Sequence, residues 1–494
     1  MNPMQAYRPA ALFCRVFLLA AMLLSPSQRG IAIAADETTA SRPNIVIILA
    51  DDMGWGDPGC YNRESKTPTP NIDRLADQGI RLTDAHAPAS VCVPSRYGLL
   101  SGRYPMRGNI KWRLPGCVLA DDDETLATLL HRHGYATYCV GKWHLGFACN
   151  HPTKADEPMP GGPCDRGFDR SLVMHGSLDI PPYYYVEDGR CVAPPTGRCQ
   201  NHYTDGWTRI QGAFWRGGGI ATGLKHEDVL PTFTAKAIEY IDTHAETKSD
   251  RPMFLYFPLS APHTPWVPTK EFKGKGGADL YGEFVAQVDN VVGRVVQRLE
   301  QRGMTDNTLI LFSSDNGPVW YPADAKRFGH ASVGPFRGMK GDAYEGGHRM
   351  PMVARWPGRI PKGTVTGCLV SFTDMMATLA AIVGDDKLDV ARLDSVNVLP
   401  ALLGQVEANQ SGPRTEMVHN CGGVNAIRVG PWKLIPQLGS CGFTKPRREN
   451  PRSDGPRGQL YNLEADPGET RNLWLEKPEV VKQLTERFEM IRGQ

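Results

Sequence analysis

Two hydrophobic periods alternate along this chain. Residues 44–50 form an unbroken apolar, largely β-branched run, Asn-Ile-Val-Ile-Ile-Leu-Ala. Such a run suits a strand buried on both faces. It stops at Asp51-Asp52. Thr69-Pro70-Asn71 then predicts a helix, with Thr69 as N-cap, Pro70 at the first helical position and Gly79 past the end. A further helix is predicted after Asp123, ending at Gly134. Tyr135 to Val140 reads as the next strand and leads into Gly141-Lys142-Trp143-His144. A helix over 226–246 and a strand from Met253 to Phe257 follow. Within 280–302, Phe284, Val288, Val291, Val295 and Leu299 share one helical stripe, closed by Gly303. Leu309 to Phe312 is a strand that runs into Ser313-Ser314-Asp315-Asn316-Gly317, and a helix is expected near 372–383.

Strand and helix in alternation predict an α/β fold with a doubly wound sheet, whose ligands sit beyond the carboxyl ends of its strands. Residues 150–222 interrupt the pattern and read as a long, loop-rich excursion. Tyr183 to Tyr185, Trp207 and Trp215 within it could line a sugar cleft or pack as a loop core. After the helix near 372–383 the runs shorten. The expected division is therefore a signal segment at 1–35, a catalytic domain at 36–389 and a smaller α+β domain at 390–494.

The first segment differs in kind. Arg8 precedes an apolar run from Ala10 to Leu24, broken by Arg15, and Ala32-Ile33-Ala34 offers a small-x-small cleavage site. The run is short of the roughly 20 residues a membrane span needs. Export with cleavage is the expectation, so the protein is secreted or periplasmic and not stably inserted in a membrane. The 494 residues are 41% hydrophobic and 22% charged, an ordinary globular balance, and a formal charge of +2 is too even for a nucleic-acid binder. Apart from Cys14 and Cys92, ten cysteines remain. That even count permits disulfides in an exported chain, and the interval from Cys149 to Cys199 looks most in need of them. None forms a C-x-x-C pair, which argues against a cysteine-built zinc site.

Chemistry gathers where strands end. Asp51-Asp52 and Asp315-Asn316 are oxygen-rich pairs without His or Cys, and such donors suit a hard cation such as calcium or magnesium. Taken alone, each reads as readily as a cap or a turn. Cys92-Val93-Pro94-Ser95-Arg96 places Cys92 at a predicted helix N-terminus, with Pro94 as the first helical residue. Amides and helix dipole favour an anion there. An isolated Cys in that position could equally be a low-pKa thiol or half of a disulfide.

C-x-P-S-R followed by Leu100-Ser101-Gly102-Arg103 resembles the sulfatase signature, in which the Cys becomes formylglycine. Asp51-Asp52-Met53-Gly54, Gly141-Lys142-Trp143-His144, Ala261-Pro262-His263-Thr264-Pro265, Ser314-Asp315-Asn316-Gly317 and Arg337-Gly338-Met339-Lys340-Gly341 occur in that family's order. The resemblance spans about 44–360, and is strongest to the arylsulfatase A and N-acetylgalactosamine-6-sulfatase branch. It implies an alkaline-phosphatase-like fold and one calcium ion held by Asp51, Asp52, Asp315, Asn316 and the modified Cys92. Arg96 would hold the formylglycine, and Lys142, His144, His263 and Lys340 match sulfate-binding and proton-transfer positions. Ser177, in a looser match, would contact the sulfate.

By that resemblance the chain is a sulfuric ester hydrolase acting on a sulfated carbohydrate or aryl sulfate. It would depend on a formylglycine-generating enzyme. A hydrated aldehyde offers two hydroxyls on one carbon. One attacks sulfur, with Asp315 accepting its proton, while His263 or Lys340 protonates the leaving oxygen. The other is deprotonated by His144 as sulfate departs. The competing expectations are a phosphatase or phosphonate hydrolase of the same superfamily, and an inactive exported carbohydrate-binding protein.

Overall fold

The computed structural model describes residues 42–110, 116–247, 250–406 and 410–493. The predicted signal segment lies outside the described residues. Strand Asn44–Ala50 sits in the middle of an eleven-stranded mixed sheet. From one edge the order is Thr364–Thr366, Ile80–His86, Arg349–Arg355, Thr308–Ser314, Asn44–Ala50, Met253–Pro258, Ala136–Lys142, Arg170–Met174, Tyr185–Glu187 and Arg190–Cys191. Val370–Ser371 also pairs with Ile80–His86. The five strands from Thr308–Ser314 to Arg170–Met174 are mutually parallel. Arg349–Arg355 runs antiparallel to both its neighbours.

The apolar run at 44–50 explains its central place. Ile45, Ile47 and Leu49 face one core, with helices Cys92–Ser101, Leu126–Arg132 and Met375–Val383. Val46, Ile48 and Ala50 face the other, with Pro70–Asp77, Val229–Glu246 and Asp279–Gln301. A strand that buries both faces needs apolar residues at every position, and this one has them. A separate four-stranded antiparallel sheet follows, Glu416–Cys421, Val424–Val429, Trp432–Ile435 and Gln459–Asn462, with helix Pro478–Gly493 packed on it. The architecture is alkaline-phosphatase-like, with a small antiparallel sheet towards the C-terminus. No helix of the described residues is long and apolar enough to cross a membrane.

Four details differ from the sequence reading. The excursion at 150–222 contains a core strand, Arg170–Met174, paired along its length with Ala136–Lys142. The helix after Val91 begins at Cys92, not at Pro94, and Val91 is its extended N-cap. Pro94 is tolerated at the third position because the first four helical amides have no intrahelical partner. Thr69 sits at the N-cap position but makes no capping bond. Asp289 instead takes the free amides of Asn71 and Ile72, at 2.9 and 2.8 Å. The eleven cysteines among the described residues are all free thiols, so the 149–199 interval is held by strand pairing and buried aromatics, without staples.

Candidate active site

The predicted polar clusters gather at the carboxyl ends of strands, except Arg337-Gly338-Met339-Lys340-Gly341, which follows no strand directly. Asp51 and Asp52 follow Asn44–Ala50, and Asp315 and Asn316 follow Thr308–Ser314. The strands set their register: the Asp315 amide donates to Ala50 O at 3.0 Å and the Asp52 amide to Asp315 Oδ1 at 3.3 Å. Lys142 is the last residue of Ala136–Lys142. Gly141, at φ +130°, is required there, because any Cβ would collide with the Pro258 carbonyl of the neighbouring strand. His263 lies on the segment leaving Met253–Pro258, and Ser177 on that leaving Arg170–Met174. Lys340 arrives on a loop whose amides bond Pro318 O and Ser90 O, at 2.9 and 2.7 Å.

Three carboxylates and three cations meet beside Cys92, all buried. Lys142 Nζ donates to Asp51 Oδ2 at 2.6 Å, and Lys340 Nζ to Asp52 Oδ1 at 2.5 Å. The Arg96 guanidinium grips Asp315 Oδ2 with Nε and Nη2 at 2.9 and 2.8 Å, and donates Nη1 to Lys142 O at 2.9 Å. Arg96 therefore braces the carboxylates and a neighbouring strand end. Lys340 Nζ also lies 3.5 Å from Cys92 Sγ. The remaining predicted groups close the ring. Ser177 Oγ is 3.4 Å from Lys142 Nζ and 3.2 Å from His263 Nδ1, and His263 Nε2 is 3.6 Å from Asp52 Oδ2.

Charge states follow from this packing. Burial opposes ionisation of Asp51, yet Lys142, His263 and Arg96 outweigh it and hold the carboxyl well below its ordinary range. Asp315 is pushed the other way, up to about 7, by burial and the Asp51 charge. The Cys92 thiol is raised by burial in spite of Lys142 and Lys340, so as an unmodified cysteine it is a protonated, poor nucleophile. Burial and then Lys142 hold His144 neutral, well below the usual imidazole range, and its buried Nδ1 has no partner. His263 is likewise lowered by burial and Lys340. Its Nδ1 bonds the Thr264 carbonyl at 2.5 Å, so Nε2 is the nitrogen free to exchange a proton.

The donor set fits a hard cation. Asp51 and Asp52 lie in a group with Cys92 and His263 whose ligand atoms are within 4.8 Å of one another; the hard-cation fit rests on the carboxylate and amide oxygens, not on the sulfur or the imidazole. Asp51 Oδ1 and Asn316 Oδ1 are buried oxygens without a hydrogen-bond partner, the state expected of oxygens disposed towards a cation.

Sequence reasoning missed the supports behind this ring. Asp57 takes the Gly54 amide at 2.6 Å, His330 Nε2 at 2.7 Å and the Tyr281 hydroxyl. It thereby fixes the turn in which Asp52 adopts φ +65°. Asp57 was visible five residues after Asp52; nothing in the chain marked His330 or Tyr281 as its partners. Among the aromatic candidates, Tyr183 and Tyr184 are buried, Trp207 packs on Trp266 and Phe328, and Trp215 stacks between His202 and His226. These rings form a packed loop core.

Known proteins agree with this geometry. The family model described as Sulfatase matches residues 43–384. An N-acetylgalactosamine-6-O-sulfatase of Bacteroides thetaiotaomicron is 34% identical over 92% of this chain and 94% of its own length. Arylsulfatase A of Bos taurus is 33% identical over 94% of this chain and 90% of its own. A solved structure titled for the metabolism of multiple glycosaminoglycans by Bacteroides thetaiotaomicron superposes with a TM-score of 0.80 at 34% identity. That match covers 92% of this chain and 100% of the other. The chain belongs to the sulfatase family and is a sulfuric ester hydrolase.

Proposed function

We propose that the enzyme releases inorganic sulfate from a sulfated carbohydrate, using a formylglycine made from Cys92 and one calcium ion. The observation that carries this reading is the convergence of Lys142, Lys340 and Arg96 on three carboxylates around a Cys at a helix N-terminus. Asp51, Asp52, Asp315 and Asn316 would hold the calcium, which when bound supplies positive charge against the sulfate oxygens. Formylglycine, as its hydrate, supplies the attacking oxygen and a second hydroxyl through which sulfate is let go.

The chain's own residues do the rest. Lys142, Lys340 and the free amides opening the Cys92–Ser101 helix face an anion and offset charge that grows on it. Ser177, between Lys142 and His263, is placed to bond a sulfate oxygen. His144, neutral and with an unpartnered nitrogen, is suited to accept a proton during sulfate release. His263 Nε2 is the candidate donor to the leaving oxygen. An arriving sulfate anion favours its protonated form, against the burial that lowers it in the free site.

Carbohydrate as substrate is supported by relatives named for N-acetylgalactosamine-6-sulfate and glycosaminoglycans, and by the balanced charge, which suits no nucleic acid. Maturation would require a formylglycine-generating enzyme as partner, and the export signal would place the product outside the cytoplasm. In this reading residues 36–389 are the catalytic domain and 390–494 the smaller one. Sulfate release from a panel of sulfated mono- and oligosaccharides tests the proposal. Turnover of the corresponding phosphate esters without sulfate release would refute it.

A further inference from the structure

A buried carboxylate beside the sulfate-facing residues has work left undone. Asp179 lies two residues past Ser177, on the same segment, and is 7% exposed. Its Oδ2 accepts from Arg216 Nη1 at 2.5 Å, and Arg216 also donates through that nitrogen to the Asp179 carbonyl at 3.1 Å. The Arg216 amide reaches the same carbonyl at 3.3 Å. Asp179 Oδ1 is buried and has no partner. Leaving a buried charged oxygen without a bond is costly, so such an oxygen marks a place for a donor.

The carboxyl stays ionised. Burial raises its pKa, but the His263 imidazole, the Arg216 guanidinium and hydrogen bonding from the Arg216 and Ser177 side chains hold it below the ordinary range. Asp179 therefore acts only as an acceptor, two residues from Ser177, whose hydroxyl meets His263 Nδ1 at 3.2 Å. The Arg216 side chain is 43% exposed, which leaves further N–H donors open to whatever enters. An acceptor and a donor set side by side match one alcohol, which gives its proton to the first and takes one from the second. A second sulfate is excluded, because the carboxylate would repel it.

Resting on the sulfated-carbohydrate reading above, we propose that Asp179 and Arg216 form a sugar subsite that reads a free hydroxyl next to the sulfated position. The enzyme then selects monosulfated sugar units with that neighbouring hydroxyl intact. It discriminates against units deoxygenated or sulfated there.

The test compares kcat/KM on a monosulfated hexosamine or hexose, its analogue lacking the neighbouring hydroxyl, and nitrophenyl sulfate. Wild-type enzyme should prefer the hydroxylated sugar over the deoxy analogue by about 10–100-fold, the range for a hydrogen bond to a charged partner. Asp179→Asn and Arg216→Ala should each lower turnover of the hydroxylated sugar by at least ~10-fold more than turnover of nitrophenyl sulfate. On the deoxy analogue that excess should vanish. Equal wild-type rates on the two sugars, or an Asp179→Asn loss shared equally by all three substrates, would overturn the subsite and leave Asp179 a positioning residue for His263. Wild-type turnover of nitrophenyl sulfate with none of either sugar would overturn the carbohydrate reading, and the subsite with it.

Discussion

At the scale of single residues, the site separates groups that hold charge from groups that move protons. Lys142 is locked to Asp51 and keeps its proton, since that pairing outweighs burial in raising its pKa. His263 can exchange one through Nε2. A nitrophenolate leaves easily without a proton, whereas a sugar alkoxide must receive one as the bond breaks. Positioned general acids contribute about 10²–10⁴-fold. His263→Ala should therefore lower kcat/KM on a sugar sulfate by at least ~10-fold more than on nitrophenyl sulfate. Lys142→Ala should harm both by similar factors. Equal losses for His263→Ala would transfer the acid role to Lys340, which burial opposes but Asp52 keeps protonated.

At the scale of elements, local signals and tertiary context divide the explanation. Thr125 caps the helix Leu126–Arg132 by a reciprocal bond with Thr128, a purely local device. Thr125→Ala should cost about 1 kcal/mol, read as a shift in the chemical-denaturation midpoint without a change in slope. An unchanged midpoint would show that neither the cap nor the bond from the Thr125 hydroxyl to Arg166 O contributes, because the substitution removes both. The central strand and long helices were legible because burial on two faces, or on one helical stripe, imposes a period on the sequence. Strand Arg170–Met174 was not: Ser-Leu-Val-Met is too short to show a period, and its place depends on pairing with a strand thirty residues away. The same divide holds in the site. Asp51, Asp315 and Lys142 were readable because each ends a recognisable strand. Asp179–Arg216 was not, since both residues sit in the aperiodic 150–222 region and meet only in the folded chain.

At the scale of the whole molecule, a directed chain of hydrogen bonds ties the small sheet to the large one. Lys433 Nζ donates to His348 Nε2 at 3.1 Å, which fixes the His348 proton on Nδ1. That nitrogen meets His86 Nδ1 at 3.0 Å, and His86 Nε2 passes its proton towards Asp84 at 2.9 Å. Lys433 is also held by Glu345 and Glu469 at 3.0 and 2.9 Å, and Arg349 and Arg428 flank Asp84. A second proton on either imidazole would set N–H against N–H. Burial lowers the pKa of His86, His348 and His419 below the ordinary 6.5. Below pH 6.5 the unfolded chain binds protons that the folded chain refuses, so stability falls with pH. Glu469 and Asp315, each pushed up to about 7 by burial, and Asp289, to about 6, oppose this, but the lowered His144, His175, His226 and His263 stand with these three imidazoles on the other side. The melting temperature should drop between pH 6.5 and 5. His419→Phe keeps the ring stacked on His348 and removes one titrating group, and should make that drop shallower. A flat profile in the unsubstituted protein would contradict the neutral chain.

Calcium acts on the same global quantity. At 100 times its Kd, a ligand that binds only the folded state adds about 2.7 kcal/mol. Calcium should raise the melting temperature of the chelator-treated protein, and Asp315→Ala should abolish the rise. An equal rise in that variant would place the ion elsewhere.

The modified nucleophile is tested most directly by mass spectrometry of the tryptic peptide 82–96, measured alongside sulfate release in preparations made with and without a formylglycine-generating enzyme. The predicted result is a peptide that has lost the thiol sulfur of Cys92 and gained an aldehyde oxygen, with specific activity proportional to the fraction converted. Full sulfate release from protein whose Cys92 is wholly unmodified would contradict it.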